Sequence, residues 1–199
     1  MDENNQYEDD LKVQLTVVDE NDNPIGTVNK IDAHKAGGPL HRTVSIFLIN
    51  SEDKMLLQKR SPMKVHAPGV WSNSCCSHPK MGQSFEEAAK ETLKREMGIE
   101  CELKEAFRLF IRTDLGHGHG ENELNHIFVG VYNGKEKPNP MDVAESRWIP
   151  VEQLIVAIAI SPEKYSTVLR MGIAKAAEYK RLNIDPFNDK KNLRVKSKC

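Results

Sequence analysis

Long apolar runs are missing from this chain of 199 residues. No stretch approaches the ~20 residues a membrane-spanning helix needs. An excess of charge of one sign is missing as well. Lys and Arg number 28 against 29 Asp and Glu, a formal net charge of −1. That excludes a uniformly basic binder of nucleic acid or anionic lipid. Cysteine is scarce, and Cys75, Cys76, Cys101 and Cys199 form no framework of spaced pairs. A reducing, cytoplasmic setting is therefore expected. The opening Met1–Asp10 is acidic and polar, unlike a signal peptide. What is present is the composition of a folded domain: 39% hydrophobic and 29% charged residues, too apolar for intrinsic disorder.

The two ends read as solvated tails, acidic over residues 1–10 and basic over 186–199. A single domain is expected over residues 11–185. Strand patterns fall at Leu11–Val18, Gly26–Val28, Thr43–Ile49, Met55–Lys59, Phe107–Arg112, Leu124–Tyr132 and Ser146–Ile149. Turn residues Asn50–Lys54 predict a hairpin between the third and fourth. Helices are expected at Phe85–Met97, Val151–Ile158 and Glu163–Leu182. Many strands with few helices indicate an α/β domain on a mixed sheet. The helix at Phe85–Met97 carries a capping box, Ser84 with Glu87, and a stop at Gly98. Glu96 falls near the azimuth of its apolar face, which is costly unless a cation or water meets the carboxylate.

Four groups of residues could carry chemistry. Cys76 and His78 sit two apart, on one side of an extended segment. Such a thiol is either reactive or simply buried. Glu121 and Glu123 alternate onto one face of a strand, where their repulsion calls for a shared proton or a metal. His34 and His41 bracket a Gly37-Gly38-Pro39 loop that could turn both imidazoles to one point. His117 and His119 lie among glycines and read as a solvated loop. Gathered together, His34, His41, His78, Glu121 and Glu123 suit a five- or six-coordinate Mn²⁺, Mg²⁺ or Zn²⁺ better than a closed tetrahedral zinc site.

The segments His34…Leu40-His41-Arg42, Leu56-Leu57-Gln58-Lys59-Arg60-Ser61, Pro68-Gly69-Val70-Trp71 through Ser77-His78-Pro79, Glu96-Met97-Gly98-Ile99 and Glu121-Asn122-Glu123 resemble type I isopentenyl-diphosphate isomerase. That family is a divergent branch of the Nudix superfamily, and the resemblance implies an α/β/α sandwich around a mixed sheet. It also implies isomerisation of isopentenyl diphosphate to dimethylallyl diphosphate, a step in isoprenoid biosynthesis, by protonation and deprotonation. It assigns Cys76 and Glu123 as the catalytic pair. His34, His41, His78, Glu121 and Glu123 become ligands of one divalent metal, and Glu96 helps hold Mg²⁺ on the diphosphate. Lys30, Arg60 and Lys64 become the basic residues around that diphosphate. The partner implied is a small isoprenoid diphosphate, not nucleic acid or membrane, and a monomer is favoured.

The pattern departs from the family at three places. Ile111 stands for a tyrosine, Glu163 for a tryptophan with Tyr165 nearby, and the Glu91–Thr92 region for an arginine. Two other readings follow from these differences. A Nudix diphosphate hydrolase would need carboxylates and an arginine where Ala88, Glu91, Thr92 and Arg95 stand. A non-catalytic, metal-containing binding module would keep the ligands and lose turnover.

Overall fold

A computed structural model describes residues 12–64 and 67–184. The two expected tails lie outside these residues. The order is β1 (Gln14–Val18), β2 (Pro24–Asn29), α1 (Lys30–Ala33), β3 (His41–Ile49), β4 (Lys54–Arg60), β5 (Trp71–Ser72) and β6 (Cys75–Ser77). There follow α2 (Phe85–Met97), β7 (Lys104–Gly116), β8 (His119–Val131), β9 (Val143–Pro150), α3 (Val151–Ile160) and α4 (Thr167–Tyr179). A 3₁₀ turn at Pro162–Lys164 precedes α4, and a π-helical turn at Lys180–Ile184 follows it.

β3 is the centre of the mixed sheet. It pairs in parallel with β8 along its whole length, from His41 opposite Glu123 to Ile49 opposite Val131. On its other side β6 runs antiparallel, with Ser45 opposite Cys76. β7 and β8 form a long antiparallel hairpin, while β4 pairs with β9 and β5.

Strand alternation divides the core into two layers. Val44, Ile46 and Leu48 of β3 join Leu56, Phe128 and the α2 residues Ala88, Ala89, Leu93 and Met97. Phe47 and Ile49 face the other way, onto Ile127, Val129, Ile111 and the helices α3 and α4. Odd-numbered residues of β3 and β8 therefore look toward α4. That fact places the candidate site.

Several boundaries differ from expectation for physical reasons. The expected Glu163–Leu182 helix begins only at Thr167. Ser166 takes an extended backbone and its side chain accepts from Leu169 N, while Tyr165 bridges to Trp71. The first strand starts at Gln14 rather than Leu11. β7 runs from Lys104 to Gly116, beyond Phe107–Arg112, because β8 offers a partner along the whole hairpin. The expected β3–β4 hairpin closes with only one residue pair, Ile49 with Met55. Beyond it the two strands part, each claimed by a different neighbour. The α2 limits are those read from the sequence, with both capping-box bonds formed and Gly98 left-handed at φ 64°.

Candidate metal and acid–base site

The α4-facing side of the sheet carries His41, Thr43 and Ser45 from β3, and Glu121, Glu123 and Asn125 from β8. Cys76 and His78 arrive from β6 and the residues just after it. His34 comes from the C-terminal end of α1. The segment after His34 is drawn against the β7–β8 hairpin. Gly120 N donates to His34 O at 2.9 Å, and Ala36 N donates to Gly118 O at 2.9 Å. Gly38 passes so near Ala33 that a Cβ there would lie 2.2 Å from the Ala33 carbonyl oxygen. Asn122 then donates to Gly38 O at 2.9 Å. These contacts fold the two histidines that bracket the loop toward each other.

The result is convergence. Ring centroids of His34 and His41 are 5.0 Å apart, those of His34 and His78 5.0 Å, and those of His41 and His78 5.4 Å. One ligand atom from each of these rings and one from Glu123 lie within 4.8 Å of one another. His41 Nδ1 lies 3.0 Å from Pro39 O. A proton on Nδ1 for that bond leaves Nε2 with its lone pair. Among the described residues, neither His41 Nε2 nor Glu121 Oε2, both buried, has a hydrogen-bond partner. Buried polar atoms are rarely left so. Burial also favours the neutral form of two of the rings, lowering the His41 pKa and pushing that of His34 down to about 3. Neutral rings, an orphaned nitrogen and an orphaned carboxylate oxygen fit a divalent cation.

The two carboxylates behave as a like-charged pair. Burial, reinforced by the Glu123 charge, pushes Glu121 up to about 7, against a hydrogen bond from Thr167. Burial also raises Glu123, opposed by bonds from Thr43 and Asn125. Thr43 Oγ1 and Asn125 Nδ2 each donate to Glu123 Oε2 at 3.1 Å. Cys76 is held in a comparable way. Ser45 Oγ donates to its sulfur at 3.3 Å, and the thiol donates to Asn73 Oδ1 at 3.2 Å. Burial pushes the thiol up to about 11, so it keeps its proton near neutrality.

The remaining expected residues divide between two places. Lys30, at the start of α1, and Arg60, at the end of β4, both act on the charge of His34. Arg60 also acts on Cys76, Glu121 and Glu123. Glu96 does not join the histidines. It lies on the α2 side, 3% exposed, accepting from Gln58 Nε2 at 3.3 Å and paired with Arg95 at 3.0 Å. Lys64 is 3.8 Å from Glu96 and 2.5 Å from Asp142. His117 is exposed in the hairpin turn at φ 54°, and neither it nor His119 belongs to the cluster. Ile111 is buried directly opposite Glu123, on the same face. Glu163 is exposed, whereas Tyr165 and Trp71 pack with Cys76 against the core beneath α4.

Alternation from Glu121 and Glu123 already puts Asn125 on their face, though not its bond to Glu123. Thr43, Ser45 and Asn73 were not legible as parts of the site, although alternation outward from His41 would have found the first two. Asn73 lies outside any strand and carries no such signal.

The NUDIX domain family matches residues 39–171. The chain is 39% identical over 173 residues to the Isopentenyl-diphosphate Delta-isomerase 2 of Aromatoleum aromaticum, covering 87% of this chain and 91% of that one. It is 35% identical to the Isopentenyl-diphosphate Delta-isomerase of Pectobacterium atrosepticum, over 83% of this chain and 92% of that one. A solved Deinococcus radiodurans structure superposes with a TM-score of 0.69 at 20% identity, over 82% of this chain and 98% of that one. A MutT NUDIX hydrolase from Burkholderia pseudomallei gives 0.55 at 15% identity, over 68% and 97%.

Proposed function

The chain belongs to the NUDIX family, among its isopentenyl-diphosphate Delta-isomerases, and from that membership we propose that it converts isopentenyl diphosphate to dimethylallyl diphosphate. The observation that carries the site assignment is the convergence of His34, His41, His78 and Glu123 beside Cys76 on one face.

The reaction adds a proton to the terminal alkene carbon and removes another from the carbon beside the resulting tertiary cation. Both steps need positioned groups in a site shielded from water. Cys76 and Glu123 are the proposed pair, one giving a proton and the other taking one. They reach the same face from strands on opposite sides of β3. Ser45 and Asn73 fix the sulfur, while Thr43 and Asn125 fix one oxygen of Glu123. A divalent cation held by His34, His41, His78, Glu121 and Glu123, whether Mn²⁺, Mg²⁺ or Zn²⁺, would withdraw charge from Glu123 and make its carboxyl group a stronger proton donor. In this reading Lys30, Arg60 and Lys64 would offset the diphosphate charge, and Glu96 would share Mg²⁺ with it. The rings of Tyr165 and Trp71 supply the apolar cover that the exposed Glu163 does not.

The hydrolase reading loses ground at α2. Thr92, buried at 4% exposure, stands where that reading needs a metal-binding carboxylate. A deciding experiment is proton NMR of metal-loaded protein with isopentenyl diphosphate in D₂O. Dimethylallyl diphosphate with incorporated deuterium is expected. An unchanged spectrum with metal bound would overturn the isomerase reading, and release of phosphate would revive the hydrolase.

A further inference from the structure

Asp142 lies in the loop before β9 and touches the segment that carries Lys64 at both of its ends. Its backbone carbonyl accepts from Ser61 N at 3.0 Å. Its carboxylate lies 2.5 Å from Lys64 Nζ. Between these contacts the segment closes on itself, with Lys64 N donating to Ser61 O at 3.1 Å and Met63 N donating to Ser61 Oγ at 3.2 Å. One residue therefore grips both ends of a closed turn.

Asp142 is itself pinned. Asn139 Nδ2 donates to its Oδ2 at 3.0 Å, and Asp142 N donates to Asn139 O at 3.0 Å. Asn139 N in turn donates to the Glu96 carbonyl at 2.8 Å, which ties the loop to the end of α2. The side chains of Lys64 and Asp142 are 28% and 17% exposed, so the pair is partly shielded from water and salt. A lysine ammonium is a point charge on a flexible stem, with three protons to donate. Asp142 takes one of them and sets the stem's direction, which leaves two for an incoming anion.

We propose that Asp142 is a positioning residue for Lys64. It holds the ammonium beside Glu96, so that a diphosphate meets a charge already in place. This rests on Lys64 being a diphosphate-binding residue, as in the functional reading above. It predicts an effect on ground-state binding that passes entirely through Lys64.

The test is a double-mutant cycle of Asp142→Asn and Lys64→Met. KM and kcat for isopentenyl diphosphate are measured on all four proteins, with thermal melts to confirm folding. Calorimetric binding of inorganic pyrophosphate with Mg²⁺ runs alongside. Asp142→Asn should raise KM by about tenfold and weaken pyrophosphate binding to match, with kcat held within about twofold. On the Lys64→Met background it should change either quantity by less than about twofold, and Asp142→Glu should restore most of the loss. An equal effect on both backgrounds, or a fall in kcat at constant KM, overturns the proposal. A wild-type protein that converts no isopentenyl diphosphate counts against the functional reading instead, and the pyrophosphate cycle then decides the clasp by itself.

Discussion

Replacing Thr43 by valine removes one hydroxyl and keeps the branched shape of the side chain. Thr43 Oγ1 supplies one of two hydrogen bonds to Glu123 Oε2, both 3.1 Å long, and the residue is 2% exposed. At that burial, solvent does not reach Glu123 from this side to replace the donor. A hydrogen bond to a charged group contributes about 1.5–3 kcal/mol. At 1.4 kcal/mol per tenfold, that is roughly ten- to a hundredfold in an equilibrium constant. The lost bond favours the ionised carboxylate, so the substitution raises the Glu123 pKa beyond the level that burial already sets. A metal needs the ionised form. Affinity at pH 7 therefore falls, and the pH at which half the protein is loaded moves upward. Calorimetric titration with Mn²⁺ across pH 6–8 measures both, with a thermal melt to confirm folding. An affinity within about twofold of wild type in a folded variant would refute the reasoning, since a metal-ligand carboxylate does not lose a buried partner without consequence.

Cys76→Ala and Glu123→Gln are each expected to abolish deuterium incorporation into product while the melting temperature shifts little. Retained turnover in either removes that residue from the acid–base pair. Metal binding at pH 6 should release protons from the Glu121–Glu123 pair, since burial pushes both carboxyl groups up. Glu121, pushed up to about 7, still holds its proton there, whereas His34, pushed down to about 3, has none to give. Calorimetry in buffers of different ionisation enthalpy reads the release directly, and it should fade as pH rises past 7. Zero release at pH 6 would exclude Glu121 as a ligand. Ser84→Ala breaks the α2 capping box and should cost about 1 kcal/mol of stability with kcat and KM unchanged. A denaturation midpoint equal to wild type would show that the cap contributes nothing.

Local signals carried far. The Ser84–Glu87 box and Gly98 bounded α2 because a helix end is decided by the few residues around it. The Glu121–Glu123 alternation held because one strand fixes which way its own side chains point. Non-local pairing was out of reach. β6 is three residues long, and only its partnership with β3 turns Cys76 toward Glu123's face. The apparent hairpin at Asn50–Lys54 has a good turn, yet neither strand is paired mainly with the other. The start of α4 moved to Thr167 because Trp71 O accepts from Ser166 N at 2.9 Å, a contact between distant segments. The resemblance pointed to Lys64 and Glu96, but not to the loop holding Asp142, whose role depends on a fold-back that no short motif encodes.

The parallel seam between β3 and β8 also bears on how the chain reaches its native state. Thr43 and Glu123 are bonded across it at a separation of 80 residues. Closing so long a loop is entropically unfavourable before any ladder contact rewards it, so such pairings tend to be slow. His41 and Glu123 face each other at the first rung of that seam. Tight capture of a metal ion during refolding would thus mark the moment when the two halves of the chain have found their register, and a trace of the ion added at the outset would select for chains that have done so.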